Sequence, residues 1–420
     1  MSHYYYQCFD CKKEYTSEEI EGKTIYLCPH CGEAKKNMPL NGVLKVIYDY
    51  EFIKTQYSKN NFLKLPFGEF WAYPYLWSLN ITDNKFDNIT ASYFTKIALN
   101  NHPIVESESN GRKLYFLDET RNPTLSFKDR ATNLVVLKAI QTGNDEIAAA
   151  STGNAGSSLA GICSKLGLSS HVFVPRNIPE GKLIQIKSYG ANIYTVDGDY
   201  DMAFDLCQEI SQKKGWYNRN TAYNPLTIEG KKSAAYDIFI SFEGKLPEYI
   251  FVPVGDGVII SGIYKGFSEL LELGWIKKLP KIIGVQSEGS NALIRYLKTG
   301  KFEYRPASTI ADGICSGAPR NLYMAADAIK NSSGFGIEVT DREILAAQKT
   351  IANSIGILAE PAGAASYAGY KKGIETSNIN QTDDIIILLT GSGLKDIQSL
   401  KSWNLTSDVK SYDEWKSVLL

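Results

Sequence analysis

Asn122-Pro123-Thr124-Leu125-Ser126-Phe127-Lys128-Asp129-Arg130 joins two unlike patterns. Ahead of it, Lys113-Leu114-Tyr115-Phe116-Leu117 is a short apolar run that predicts a strand. Behind it, residues 131–140 (ATNLVVLKAI) carry apolar side chains at helical spacing with almost no breakers. Lys128 is therefore expected in the first turn or two of a helix. The ordinary fate of a lysine is a solvated surface. A cation is disfavoured at the positive end of a helix, however. That placement would help depress the pKa of an amine that must attack a carbonyl.

Outward from this stretch the chain alternates. Apolar runs at 147–150, 171–174, 192–196, 249–254, 282–286 and 384–389 read as strands. Helical spacing separates them, at 156–166, 181–189, 201–214, 230–242, 260–273, 341–353 and 363–372. Continuous apolar strands between helices predict an α/β fold with mostly parallel sheets covered on both faces. Ligands in such folds sit at the carboxyl ends of strands. The aromatic cluster from Phe67 to Trp77 has the spacing of a packed helix, and Asn80–Asn88 reads as a polar loop.

The composition narrows the function. Apolar residues make up 44% of the 420 and charged ones 22%, ordinary for a globular protein with a large core. A net charge of −1 argues against a nucleic-acid or anionic-membrane partner. No apolar run approaches the roughly 20 residues of a bilayer span. The start, Met1-Ser2-His3-Tyr4-Tyr5-Tyr6, lacks the order of a signal peptide. Seven cysteines, four of them in two CxxC pairs, suit a reducing compartment, and the cytoplasm is expected. Cys8, Cys11, Cys28 and Cys31 have the spacing of a closed tetrahedral zinc site. A structural zinc is expected to fold a ribbon-like segment over residues 1–35.

Three strand ends carry glycine-rich turns. Ser151-Thr152-Gly153-Asn154-Ala155-Gly156 opens a helix with small residues and hydroxyl and amide donors suited to an anion. Gly255-Asp256-Gly257-Val258-Ile259 opens another, and its amides can cradle a phosphate provided that the Asp256 side chain points away. Thr390-Gly391-Ser392-Gly393 follows the last strand and places a hydroxyl at its end. A reactive lysine, a phosphate cradle, an anion loop and a hydroxyl for a heteroaromatic nitrogen are together the set that pyridoxal phosphate requires.

These stretches resemble the threonine synthase branch of the fold-type II pyridoxal-phosphate enzymes. The resemblance covers about residues 110–400 in four ordered motifs, joined by Thr309–Gly313 and Glu360–Ala365. It implies that Lys128 is the Schiff-base lysine, that Asn154 contacts the cofactor's 3′ oxygen and that Gly255, Asp256, Gly257, Val258 and Ile259 hold its phosphate. Thr390 would face the pyridine nitrogen, and Ser151 and Thr152 the substrate, a small amino acid. The implied domains are the ribbon at 1–35, a large cofactor-binding domain at 36–140 and 220–420, and a small closing domain at 141–219. The family is commonly dimeric, which implies a homodimer. The implied reaction is γ-elimination and replacement on O-phosphohomoserine or a related amino acid. The alternative is β-elimination or β-replacement on serine, threonine or phosphoserine-type amino acids.

Three positions depart from the family pattern. Leu125 replaces a glycine, Leu117 a lysine, and Thr227, in Asn224-Pro225-Leu226-Thr227, an arginine for the substrate phosphate. Lys231 and Lys232, just beyond, are expected to be surface lysines of a helix.

Overall fold

The strand expected ahead of Asn122 is β5 (Arg112–Asp118), and in the computed structural model it lies inside a six-stranded sheet. The structure describes residues 2–69, 71–80, 93, 98–99, 104–109, 111–376, 379–380, 382–403 and 409–419. Residues 81–88 of the expected polar loop lie outside this set.

The large sheet runs β12 (Gly336–Val339), β11 (Lys281–Ser287), β10 (Tyr249–Pro253), β13 (Ile385–Leu389), β5 and β4 (Ile104–Ser109). All neighbours are parallel except β4 and β5. Its central strands, YIFVP and IIILL, are buried at every residue because helices cover both faces. Side chains alternate between those faces. Leu117, Ile250, Ile386 and Leu388 pack on the side of the helix Lys128–Gln141, whereas Phe116, Phe251, Ile387 and Leu389 pack on the side of the helix Pro361–Thr376. Leu117 is thus core. A second, wholly parallel sheet orders β8 (Asn192–Val196), β7 (Ser169–Pro175), β6 (Glu146–Ala150) and β9 (Tyr217–Asn218).

The N-terminal cysteine pairs belong to a third, antiparallel sheet, β2 (Glu14–Thr16), β1 (Tyr4–Cys8) and β3 (Leu44–Tyr48), whose last strand comes from beyond residue 35. This ribbon is bolted to the body by buried polar contacts. Lys138, in the helix that Lys128 opens, pairs with Glu21 at 2.8 Å and donates to the Tyr4 hydroxyl at 3.0 Å. Tyr26 accepts from the Asn218 amide at 2.7 Å, and Tyr48 donates to Glu229 at 2.9 Å.

Two expectations need correction. The cluster from Phe67 to Trp77 is packed, but among its described residues the only helical turn is Pro74–Leu76; Tyr73 packs edge-on to Tyr236 and tilted to Trp77. Lys231 and Lys232 are fully buried, not on the surface. The expected helix at 230–242 breaks into Leu226–Glu229, a tight turn Gly230–Lys232 and Ser233–Ser241. A Cβ on Gly230 would meet the Arg130 carbonyl oxygen at 2.3 Å, so this turn lies against the first turn of the lysine helix. Lys232 is ion-paired at 2.9 Å to both Glu229 and Glu269, with its cation 4.0 Å from the Tyr48 ring.

Candidate active site

The ends of β6, β10 and β13 converge on one cavity, lined by Lys128, Ser151, Thr152, Asn154, the 255–259 turn and Thr390. The structure therefore brings together every residue that the sequence assigns to cofactor and substrate.

Backbone pairing across loops sets the lysine. The Phe127 amide donates to the Thr390 carbonyl at 2.8 Å, and the Ser392 amide to the Leu125 carbonyl at 3.0 Å. Ser126 pairs with Gly391, and Ala359 with Ser392. Leu125 itself sits at φ +66°, the left-handed region, which accounts for glycine being the usual residue there. Asp129 and Arg130 do not line the cavity. Asp129 accepts from the Thr124 amide at 2.8 Å and from the Ser158 hydroxyl at 2.6 Å. Arg130 joins Glu119 and Asp237, each at 2.7 Å, and all three are buried. The two residues after the lysine build its scaffold.

The cradle residues are placed by steric need. A Cβ on Gly255 would stand 2.9 Å from the Ile314 Cα, and Gly257 adopts φ +85° with Asn321 and Ala325 against it. The helix Val258–Glu272 begins there and presents its free amides and positive dipole end. Asp256 satisfies the condition set for it. Its carboxylate accepts from the Ser316 hydroxyl (3.1 Å), the Arg320 amide (3.3 Å) and the Tyr200 hydroxyl (3.2 Å).

Glu360 and Asp312 complete the wall and Lys182 pairs with them, and sequence reasoning gave none of the three a role. Both carboxylate oxygens of Glu360 accept from Asn154 Nδ2, at 2.8 and 2.9 Å. Lys182 pairs with Asp312 at 2.5 Å and lies 3.5 Å from Glu360. A Cβ on Gly391 would sit 2.5 Å from Glu360 Oε1, and one on Gly153 would strike the Lys182 stem, so glycines make room for this network. The available signal was the Glu360-Pro361 helix start facing two glycine turns.

Burial pushes the Lys128 amine down to about 8. Arg219 and Lys182 add to the shift, while Glu360 and Asp256 oppose it. Burial likewise takes Lys395, which donates to the Thr124 carbonyl and the Ser157 hydroxyl at 2.8 Å, down to about 7. Among the described residues, the buried Asn154 Oδ1 and Ser126 Oγ have no hydrogen-bond partner. An available amine, a helix-start phosphate cradle and orphaned polar atoms beside them fit pyridoxal phosphate. Among the described residues, no helix is long and apolar enough to cross a membrane. In the ribbon, the sulfurs of Cys8, Cys11, Cys28 and Cys31 lie within 4.8 Å of one another, with Cys8–Cys31 at 3.5 Å and Cys11–Cys28 at 3.7 Å. That clustering fits a tetrahedral thiolate site.

Residues 96–391 match the family model of the pyridoxal-phosphate-dependent enzymes, and maize serine racemase has the same fold (TM-score 0.63, 21% identity, 76% of this chain and 96% of that one). So does Escherichia coli diaminopropionate ammonia lyase (TM-score 0.64, 16% identity, 76% and 91%). The class is thus a fold-type II pyridoxal-phosphate enzyme. The threonine synthase of Methanocaldococcus jannaschii is 36% identical over 395 residues, which span 93% of this chain and 92% of that one. The threonine synthase of Methanosarcina acetivorans is 35% identical over 402 residues, 94% and 93% of the two chains. The chain belongs to the threonine synthase family, and it is a pyridoxal-phosphate-dependent lyase of that type.

Proposed function

We propose that this enzyme converts O-phosphohomoserine to threonine and phosphate, by γ-elimination followed by addition of water at Cβ. The observation that carries the reading is the depressed Lys128 amine in one cavity with a helix-start phosphate cradle, in a chain alike over its length to threonine synthases. Lys128 would hold the cofactor covalently, residues 255–259 its phosphate, Asn154 its 3′ oxygen and Thr390 its pyridine nitrogen. Bound there, pyridoxal phosphate supplies an electron sink for charge developing at the substrate's α carbon. A hydroxyl opposite the ring nitrogen leaves that nitrogen unprotonated and moderates the sink, which favours elimination. The free Lys128 amine takes and returns protons at the substrate carbons. The hydroxyls of Ser151 and Thr152, with the Thr152 amide just ahead of the helix Asn154–Leu166, orient the substrate carboxylate, the Ser151 amide being held by the Phe173 carbonyl at 3.0 Å. The unit at 141–219, built on the four-stranded sheet, would close over the substrate and exclude water. Release of inorganic phosphate from O-phosphohomoserine tests the reading. Ammonia release from serine or threonine, with no phosphate release from O-phosphohomoserine, overturns it.

Loading of the cofactor should follow the Lys128 titration. The neutral amine is the reactive form, and its fraction rises about tenfold per pH unit until the pKa of about 8 is passed. The rate of visible absorbance gain when apoenzyme meets pyridoxal phosphate is therefore expected at pH 6 to be about a hundredth of its plateau. A flat rate between pH 6 and 8 contradicts the assignment.

We also propose that Cys8, Cys11, Cys28 and Cys31 hold a structural zinc, in a homodimeric, cytoplasmic enzyme. Four thiolates leave the metal no open position, so its role is to order the ribbon. Cys28→Ser is expected to strip zinc from the purified protein and to lower Tm by about 5 °C or more. Unchanged metal content in the variant contradicts the site.

A further inference from the structure

Lys231 is fully buried and lines the same cavity as Lys128 and the glycine cradle. Its Nζ donates to the Thr227 carbonyl of its own turn at 3.1 Å, and an ammonium has three protons to give. Behind it lies Arg219, also fully buried. Arg219 Nε donates to the Thr132 hydroxyl at 3.3 Å and Nη1 to the Thr221 hydroxyl at 3.2 Å, but Nη2 is buried with no partner.

Several other buried cations of this chain are ion-paired. Arg130 meets Glu119 and Asp237, Lys232 meets Glu229 and Glu269, Lys182 meets Asp312, and Arg320 meets Asp201. Among the described residues, neither Lys231 nor Arg219 has an ion pair. The nearby carboxylate of Asp256 is already taken by Ser316, Arg320 and Tyr200. Two buried cations without a counter-charge are costly to fold, and burial, with repulsion from Arg219 and Lys128, drives the Lys231 amine well below its usual range. What the wall lacks is an anion.

Position and charge identify the anion. A Cβ on Gly262 would stand 2.7 Å from the Lys231 Cβ, so Lys231 abuts the second turn of the helix whose N-terminus forms the cradle. A substrate carboxylate, with one charge, is served on the reading above by the Ser151 and Thr152 hydroxyls and the Thr152 amide. A phosphate monoester carries nearly two charges and three acceptor oxygens. Thr227, one turn earlier, cannot serve, since its hydroxyl accepts from the Ala222 amide at 3.1 Å and donates to the Asn224 carbonyl at 2.7 Å. We propose that Lys231, backed by Arg219, binds a phosphate monoester in the active-site cavity. Two such groups enter it on the reading above, the cofactor's own phosphate and the phosphate that the substrate loses; the second rests on that reading.

Lys231→Gln and Lys231→Arg in the full-length holoenzyme separate the sources. One arm measures the dissociation constant of pyridoxal phosphate by absorbance after dialysis. The other titrates inorganic phosphate and follows the spectrum of the bound cofactor. Lys231→Gln is expected to weaken one of the two by about tenfold or more, the size of a lost charge-assisted hydrogen bond, and Lys231→Arg to recover most of it. Weaker cofactor binding alone assigns the cofactor phosphate, and weaker inorganic phosphate alone assigns the leaving group. Less than a twofold change in both overturns the proposal. A merely structural lysine would lower the melting temperature of the cofactor-free protein, whereas removing an unpaired buried cation leaves it unchanged or raises it. Lys231→Met repeats the comparison if the glutamine variant folds poorly. Should the enzyme release no phosphate from O-phosphohomoserine, the substrate reading fails, and the inorganic phosphate titration still decides Lys231.

Discussion

The Lys128→Ala enzyme is expected to fold, to lose the visible absorbance of lysine-linked cofactor and to turn over its substrate at least ~10⁴-fold more slowly. Lys182 is buried against Asp312 at 2.5 Å, and its charge is held by that carboxylate and Glu360 in spite of burial. Lys395 is low enough in pKa to be neutral, but its Nζ is committed to the Thr124 carbonyl and the Ser157 hydroxyl, away from the cavity lining. Lys231 lines the cavity too, but from a turn packed against the cradle helix rather than from a strand-end loop. Among the described lysines of the cavity, only Lys128 combines a depressed pKa with a strand-end loop that fixes its backbone. Since Asp129 and Arg130 hold that loop from behind, losing the amine leaves the scaffold intact. Circular dichroism should be unchanged. Persistent absorbance, or turnover within tenfold of the parent, would transfer the role to another amine.

Arg130→Met is expected to produce the largest loss of stability, about 3–5 kcal/mol out of a total of order 5–15 kcal/mol. Glu119 and Asp237 are both buried, and burial already raises the Glu119 carboxyl above its ordinary range even with the guanidinium beside it. Without Arg130 two carboxylates share a site with no counter-charge. Replacing all three groups, as Glu119→Gln, Asp237→Asn and Arg130→Met, removes the charges together and should recover much of the loss. Urea unfolding midpoints compare the variants. Equal midpoints for Arg130→Met and the parent would show that the network contributes nothing.

The contrast between these two residues shows what was legible in the chain. The strands β6, β7, β10, β11 and β13 announce themselves because parallel strands covered on both faces are continuous apolar runs, and β8, a partly exposed edge strand, carries such a run as well. The cofactor residues follow because their chemistry needs small residues and hydroxyls at strand ends. β12, four residues long, carries no such run. Lys232 was misread because nothing local distinguishes a surface lysine from one enclosed by Glu229, Glu269 and Tyr48, three partners that only the fold assembles. Glu360 was overlooked for the same reason, since its role exists only where Gly391 and Asn154 arrive beside it. Leu117 and Thr227 mark substitutions that the sequence could locate but not interpret: one is core, and the other is spent on its own loop.

Leu125 carries a further consequence. An L-residue in the left-handed region stores about 1–2 kcal/mol relative to a relaxed backbone, and such strain persists only where the surroundings over-determine it. Here the Leu125 amide is tied to the Asn122 carbonyl at 2.7 Å and its carbonyl to the Ser392 amide at 3.0 Å. Relaxing the residue would mean breaking both ties. The loop ahead of Lys128 therefore behaves as a clamped spring, and the reactive amine travels by rotation of its own four-carbon stem while its anchor stays still.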